Sequence, residues 1–448
     1  MKYPTIQLAS ADILTGRLEP RDLVEMCLER IERFDGRVRA WVSVDAAGAR
    51  RYADRLGKEL KQGQCRGPLH GVPVGIKDIV DVAGWPTRAG SPLREDHPAA
   101  ADATLVRRLR EAGAIVLGKT VTTEFACFDP SPTRNPWNLD HTPGGSSSGS
   151  AAAVALGMCL AAIGSQTGGS ITRPAAYCGV CGLKPTFGRV SRAGMVPVSF
   201  HLDHPGPLSR CVSDLAVVLG AIAGADAADP FCSDKPVSDY LAALPQIAPP
   251  RLGLLEGFFV ERADASVRAV FDEALGKLRD RGGAVQTVEL PADFEEFLPM
   301  HRRVMAVEAA EFHCELFERC PDQYGPHIRR LLEEGLSTSA PRYAAALRHR
   351  VEFGLRMRGL LGDCNALLTP AAPNTAPATL ETTGDPSFNS PWSYTGMPTV
   401  SLPCGLASNG MPVALQLVGR PWEEAELLAA AAWCEAALGF AELPPLCG

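Results

Sequence analysis

Residues 142–186 read TPGGSSSGSAAAVALGMCLAAIGSQTGGSITRPAAYCGVCGLKPT. Two serine-bearing glycine turns punctuate this stretch, Gly144-Gly145-Ser146-Ser147-Ser148-Gly149 and Gly168-Gly169-Ser170. Between them, the alanine-rich run Ser150 to Met158 predicts a tightly packed helix, and Leu160 to Ser165 a buried strand. A nine-residue helix rises about 14 Å. A six-residue strand runs back about 20 Å. The lengths nearly cancel, so the two turns are expected to meet and to bring Ser146 within reach of Ser170. Glycine there tolerates backbone angles that a side chain forbids and lets a ligand approach the main chain. Exposed N–H groups beside a serine suit a developing oxyanion. One such turn reads equally as an ordinary tight turn or a phosphate cradle. Two, each with serine after Gly-Gly, favour catalysis.

Upstream, residues 67–84 read GPLHGVPVGIKDIVDVAG, the small and branched apolar alternation of a buried strand, with Lys77 in its middle. Burying an ammonium is costly. The alternative is a strand-end lysine that reaches water or pairs with Asp78 or Asp81. Beside two serine turns, a desolvated lysine has a chemical use, since it can serve as a base. Asp102 to Thr120 reads as helix–turn–strand, with Asp102 as cap, Leu105 and Leu109 inward, Gly113 closing the helix and Ala114 to Leu117 as the strand.

The flanks repeat this alternation. Residues 8–60 read as helical: Pro20 opens a helix, Leu23, Cys27, Leu28 and Ile31 mark its apolar face, and Gly36 ends it. A second helix covers Asp45 to Leu60. Residues 122–136 and 200–210 read as loops, Val212 to Ala223 as a buried helix, and 225–250 as a surface connection. Arg251 to Glu256, Asp264 to Arg281 and Ala284 to Leu290 give strand–helix–strand, and 299–360 is helical. Ala366 to Pro370, Thr399 to Pro403 and Ala414 to Val418 are strands, 371–398 is a proline-rich loop, and Glu424 to Leu438 a closing helix. Helices alternating with apolar strands predict an α/β sandwich around a largely parallel sheet.

The chain has 448 residues, 46% apolar, with a net charge of −7. A large core follows, and a polyanion-binding surface is disfavoured, so neither nucleic acid nor a membrane is expected as a partner. No apolar run reaches the roughly 18 residues of a membrane span, and the first residues lack a signal peptide's pattern. A cytoplasmic location is the expectation. The 14 cysteines are then reduced and mostly packing residues. Cys178 and Cys181 form a lone C-x-x-C without a second pair or a nearby His pair, so no metal is expected.

A serine hydroxyl needs a proton acceptor before it attacks. None of the nine histidines sits in a triad context. Ser147 fits G-x-S-x-G, but no strand precedes it, as a nucleophile elbow requires. The remaining base is Lys77. Neutral in a dry site, it takes a proton from Ser146, which takes one from Ser170, the nucleophile. The backbone N–H groups of Thr167, Gly168, Gly169 and Ser170 form the oxyanion hole.

At this point the chain resembles the amidase signature family. GVPVGIKD around Lys77, TRNPWN with PGGSSSGSAAAVA, QTGGSITRPAAYCGVCGLKPT, DHPGPLSR, and MPTVSLPCG with MPVALQLVGRPWEE all match it, over nearly the whole chain. The resemblance implies a Ser-cisSer-Lys triad on Ser170, Ser146 and Lys77. It also implies an acyl-serine intermediate, no cofactor, and one α/β/α domain around a mixed sheet of about eleven strands. That domain spans 1–448, with a helical layer over 1–60, a catalytic core over 61–225 and a substrate-shaping segment over 299–360. The family is often homodimeric.

One departure is informative. Arg173 stands three residues after Ser170 where most members have it at two, and Gln166 replaces the usual Asp. Both features look like malonamidase-type members, in which that arginine holds the substrate carboxylate. Arg173, Gly145 and Thr123 are the candidate substrate-binding residues, and the substrate is a small polar or carboxylate-bearing amide. A structural Arg173, paired with a core carboxylate, is the alternative. The glutaminase component of a tRNA-dependent amidotransferase is the rival function. The shifted arginine, the absent Asp and the short chain argue against it.

Overall fold

The computed structural model describes residues 4–94, 96–246 and 248–447. Eleven strands form one sheet: β1 (Trp41–Val44), β2 (Pro73–Lys77), β3 (Ile115–Thr120), β4 (Ala161–Gln166), β5 (Cys181–Lys184), β6 (His204–Ser209), β7 (Arg251–Leu255), β8 (Ala284–Val288), β9 (Ala366–Pro370), β10 (Thr399–Leu406) and β11 (Pro412–Val418). Their order is β1-β3-β2-β4-β6-β5-β10-β11-β9-β7-β8. The architecture is α/β around a mixed sheet, as expected, but the sheet is not largely parallel as the alternation of helices and strands predicted. Parallel pairing is confined to two blocks, β3-β2-β4 and β9-β7-β8. The remaining pairs are antiparallel. The blocks are the places where a helix crosses between neighbouring strands, such as Thr104–Glu111 between β2 and β3 or Ala265–Asp280 between β7 and β8.

The central stretch folds nearly as its composition requires. The helix is Ser148–Ala155, every residue of it buried, and β4 follows, also buried throughout. Small residues are essential here. A Cβ on Gly149 would lie 2.2 Å from the Ala40 carbonyl oxygen and 2.4 Å from the Val121 nitrogen. A large side chain would lever this helix off β3 and lose the dry floor beneath the first turn. β2, β3 and β4 are buried on both faces, which is why their sequences are apolar without polar alternation.

Besides the helix Ser390–Thr395 inside the loop expected over 371–398, four expectations need correction. Residues 8–60 are not all helical, because β1 runs antiparallel to β3 between the helices Pro20–Val38 and Ala46–Lys61. Gly36 does not stop the first of these. The helix continues to Val38 and ends on Arg39 in the left-handed region, φ 57°. Asp102 does not cap Thr104–Glu111; its carboxylate accepts from the Ala83 amide and pairs with Arg110, both at 2.8 Å. Finally, the loop 200–210 contains β6. Its sequence, HPGPLS, has two prolines, which cannot donate to a ladder. β5 pairs only with Leu208 and Ser209, so residues 204–207 are bonded on the β4 side alone. A proline nitrogen is tolerated on that unpaired side.

Candidate active site

Lys77 is the last residue of β2, fully buried between β3 and β4. Its Nζ donates to Ser146 Oγ at 2.6 Å and to Ser165 Oγ at 2.8 Å. Neither Asp78 nor Asp81 partners it: Asp78 pairs instead with buried Lys119 at 2.9 Å. Burial pushes the Lys77 ammonium down to about 7, although the charges of Asp203 and Cys127 pull the other way. The amine is therefore substantially neutral near pH 7.

The two turns meet where the helix and strand lengths place them. The Ser147 amide donates to the Ser170 carbonyl at 3.3 Å. Ser146 follows a cis peptide bond and is 1% exposed. Ser170 is half-buried and opens onto a cavity of about 250 Å³. Ser147, the G-x-S-x-G serine, is turned away. Its hydroxyl donates to the Ser165 carbonyl at 3.3 Å and accepts from the Ser165 amide at 3.2 Å.

Thr167, Gly168 and Gly169 line the same cavity as Ser170. Among the described residues, the amides of Gly168, Gly169 and Ser170 donate to no protein group. Arranged beside a hydroxyl, such free donors can receive an oxyanion. Gln166 holds the far side of the loop, its side-chain oxygen accepting from the Ile171 and Thr172 amides at 2.9 and 3.0 Å.

Arg173 lies in the cavity wall, 3% exposed. One terminal nitrogen donates to the Gly145 carbonyl at 2.8 Å and to Thr383 Oγ1 at 3.1 Å. Its Nε and other terminal nitrogen are buried without a partner. It pairs with no carboxylate among the described residues, so the core ion pair considered above is not formed. Burial pushes the guanidinium below its ordinary value, with Tyr177 and Asp385 opposing. A buried cation with two donors to spare can take an anion in a bidentate pair.

Two of the expected substrate-binding residues stand elsewhere. The Thr123 hydroxyl donates to the Cys127 carbonyl at 2.6 Å, and the Thr123 amide to the Ser146 carbonyl at 3.3 Å. Thr123 thus fixes a loop behind the cavity. Gly145 is covered by Thr383 and Thr123, whose methyl groups would lie 2.8 and 3.0 Å from a Cβ there. Cys178 and Cys181 are buried thiols facing the Pro143 carbonyl and Glu435.

Other residues at the site were not singled out in the sequence. Ser165, at the end of β4, is the second hydroxyl on Lys77. Asp203 is buried, accepting from the Thr167 hydroxyl at 2.5 Å and from the Val198 and Ser199 amides at 2.7 and 3.0 Å. The rest of the wall comes from residues 126–128, from Leu298, His301, Arg302 and Met305, and from 385–387 with Ser390. Register alone signals Ser165, because β2 and β4 are parallel neighbours with Ile76 opposite Ile163. Asp203 opens the DHPGPLSR match, and no local pattern marks the wall residues.

A family model for amidases matches residues 22–428. The chain is 38% identical to a glutamyl-tRNA(Gln) amidotransferase subunit from Halorhodospira halophila (strain DSM 244 / SL1), over 96% of each chain. Among solved structures it is similar to the peptide amidase of Stenotrophomonas maltophilia, with a TM-score of 0.88, 32% identity and coverage of 99% and 98%. It is also similar to a 6-aminohexanoate cyclic dimer hydrolase solved with substrate, with a TM-score of 0.87, 25% identity and 99% of both chains. No helix among the described residues is long and apolar enough to cross a membrane. With a buried amine bonded to the first serine turn, a second serine turn whose free backbone donors line a cavity, and relatives of this kind along nearly its whole length, the chain belongs to the amidase family and is an amide-hydrolysing enzyme.

Proposed function

We propose that the enzyme hydrolyses a small carboxylate-bearing amide through an acyl intermediate on Ser170. Neutral Lys77 accepts the Ser146 proton while Ser146 accepts that of Ser170, whose oxygen attacks the carbonyl. The oxyanion is received by the amides of residues 167–170. The same relay in reverse delivers a proton to the leaving nitrogen, so the C–N bond breaks with release of ammonia. Water, activated by the same relay, then cleaves the acyl ester. The observation that carries this reading is Lys77 itself: a buried lysine with no carboxylate partner among the described residues, bonded to two serine hydroxyls. Arg173, buried in the cavity wall with two unpartnered donors, supports a carboxylate on the substrate.

The test is a panel of malonamate-like, aliphatic and aryl amides with Ser170→Ala, Lys77→Ala and Arg173→Ala. The first two abolish turnover with the fold retained, and Ser170→Ala also abolishes labelling by a fluorophosphonate. Arg173→Ala raises KM for carboxylate-bearing amides by about tenfold to a hundredfold, the loss of a charge-assisted pair, and leaves neutral amides unaffected. An unchanged KM would remove the carboxylate assignment.

The relatives named as amidotransferase subunits favour a second reading, the glutaminase component of such a complex. Chain length does not separate the two, because the matched relative is covered over 96% of its own length. Glutamine hydrolysis that rises on adding the complex's other components, with no turnover of other amides, would establish it.

A further inference from the structure

The proposed oxyanion loop contains two glycines in succession, the residues with the greatest backbone freedom. Its amides are useful only if that freedom is removed. Three successive carbonyls of the loop are each held by a group outside it. The Thr167 carbonyl accepts from His301 Nε2 at 2.9 Å. The Gly168 carbonyl accepts from Ser393 Oγ at 2.6 Å. The Gly169 carbonyl accepts from the Arg173 amide at 2.9 Å, at the start of the helix Thr172–Cys178. Each peptide unit is planar, and in a trans unit the N–H points opposite to its C=O. Holding these three carbonyls therefore aims the N–H groups of Gly168, Gly169 and Ser170, the same three that donate to no protein group.

We infer that His301 and Ser393 are positioning residues for amide hydrolysis, which orient the oxyanion-binding amides of Gly168 and Gly169 from outside the loop. This rests on the acyl-enzyme reading above. His301 projects from the helix Phe297–Arg319 and Ser393 from the helix Ser390–Thr395. Ser393 is itself aimed, because its oxygen accepts from Gln166 Nε2 at 3.1 Å while its proton goes to Gly168. Gln166 thus holds both ends of the loop, residues 171–172 directly and residue 168 through Ser393. His301 is 5% exposed, and burial lowers its imidazole to about 4, so near neutrality it carries one ring proton. The Thr167 bond assigns that proton to Nε2. Neither residue is required to touch the substrate for this role.

An orienting role differs from simple satisfaction of buried carbonyls in what it changes. Misaimed amides weaken the tetrahedral state and leave ground-state binding intact. The experiment measures steady-state kinetics, affinity for a boronic-acid analogue, and thermal unfolding of His301→Leu, His301→Gln and Ser393→Ala beside the wild type. We expect His301→Leu and Ser393→Ala to lower kcat by about tenfold to a hundredfold, less than outright loss of an oxyanion donor, with KM unchanged. Boronate affinity falls by the same factor and product affinity does not. His301→Gln, which keeps a donor at the Nε2 position, recovers most of the loss. Unchanged kcat, a rise in KM that accounts for the whole effect, or equal losses in His301→Gln and His301→Leu would overturn the inference. A wild type that turns over no amide and takes no fluorophosphonate at Ser170 would overturn the acyl-enzyme reading as well, so the two failures are distinct.

Discussion

In the proposed mechanism Lys77 acts as a base only while its amine is uncharged, and its surroundings make that a matter of pH. Burial brings the group down to about 7, so protonation removes the base as pH falls through that value. Above it the base is present, and no further gain follows. The expected kcat/KM profile rises from acid with a midpoint near 7 and then flattens. A profile already flat at pH 5 would contradict a lysine base. His301, lowered to about 4, does not titrate in this range. Lys77, Ser146, Ser170 and Arg173, on which the proposed mechanism rests, were picked out in the sequence because each lies inside a short motif. His301, Asp385 and Ser393 were not. Tertiary packing brings His301 and Asp385 to the cavity and Ser393 to the Gly168 carbonyl, and His301 is one of nine histidines with no local signature. Thr123 was misread for a related reason, since position in a loop beside the site does not reveal which way a short hydroxyl turns.

At the scale of elements, the two serine turns depend on close approach of neighbouring chain. A Cβ on Gly169 would lie 2.6 Å from Asn389 Oδ1. Asn389 cannot easily retreat, because its Nδ2 donates to the Ala371 carbonyl at 2.8 Å and to Gln416 Oε1 at 3.1 Å. Gly169→Ala must therefore move the loop, and kcat is expected to fall by about a hundredfold, the scale of losing one oxyanion donor, with a smaller change in KM. Kinetics of the variant with a neutral amide check this without involving Arg173. Elements with strong patterning were legible to the residue: β9 and the closing helix Glu424–Leu438 fall where apolar content puts them. β1 and β6 were not. β1 is four residues long between two helices, too short for alternation to stand out. β6 carries two prolines, and only the incomplete pairing with β5 makes them tolerable.

At the scale of the whole molecule, a buried carboxylate ties the helical segment to the loop that leads into β6. Glu308, on the helix Phe297–Arg319, accepts from the Ser199 hydroxyl, from the His201 ring at 2.5 Å and amide at 3.1 Å, and from Tyr343 at 2.6 Å. Burial raises the Glu308 carboxyl, yet these bonds outweigh it and hold the group below its ordinary value. The segment it grips, residues 199–203, leads to Asp203 and so to Thr167. Glu308→Ala leaves several buried donors without an acceptor and is expected to cost about 2–3 kcal/mol of stability, read by denaturant unfolding. Activity should fall as well, through the loosened Asp203–Thr167 contact.

The cavity wall and the proposed proton relay come from different parts of the chain. The amine and hydroxyls stand on β2, β4 and the two turns, whereas the residues facing the rest of a ligand come from 126–128, 298–305 and 385–390. Substitutions in the wall can accumulate without disturbing the relay, so mutation can change what is cut while how it is cut stays intact. That separability accounts for a scaffold shared, at a quarter to a third identity, by a peptide amidase and a cyclic dimer hydrolase. It also makes the three wall segments the natural ground for redirecting this enzyme toward new amides.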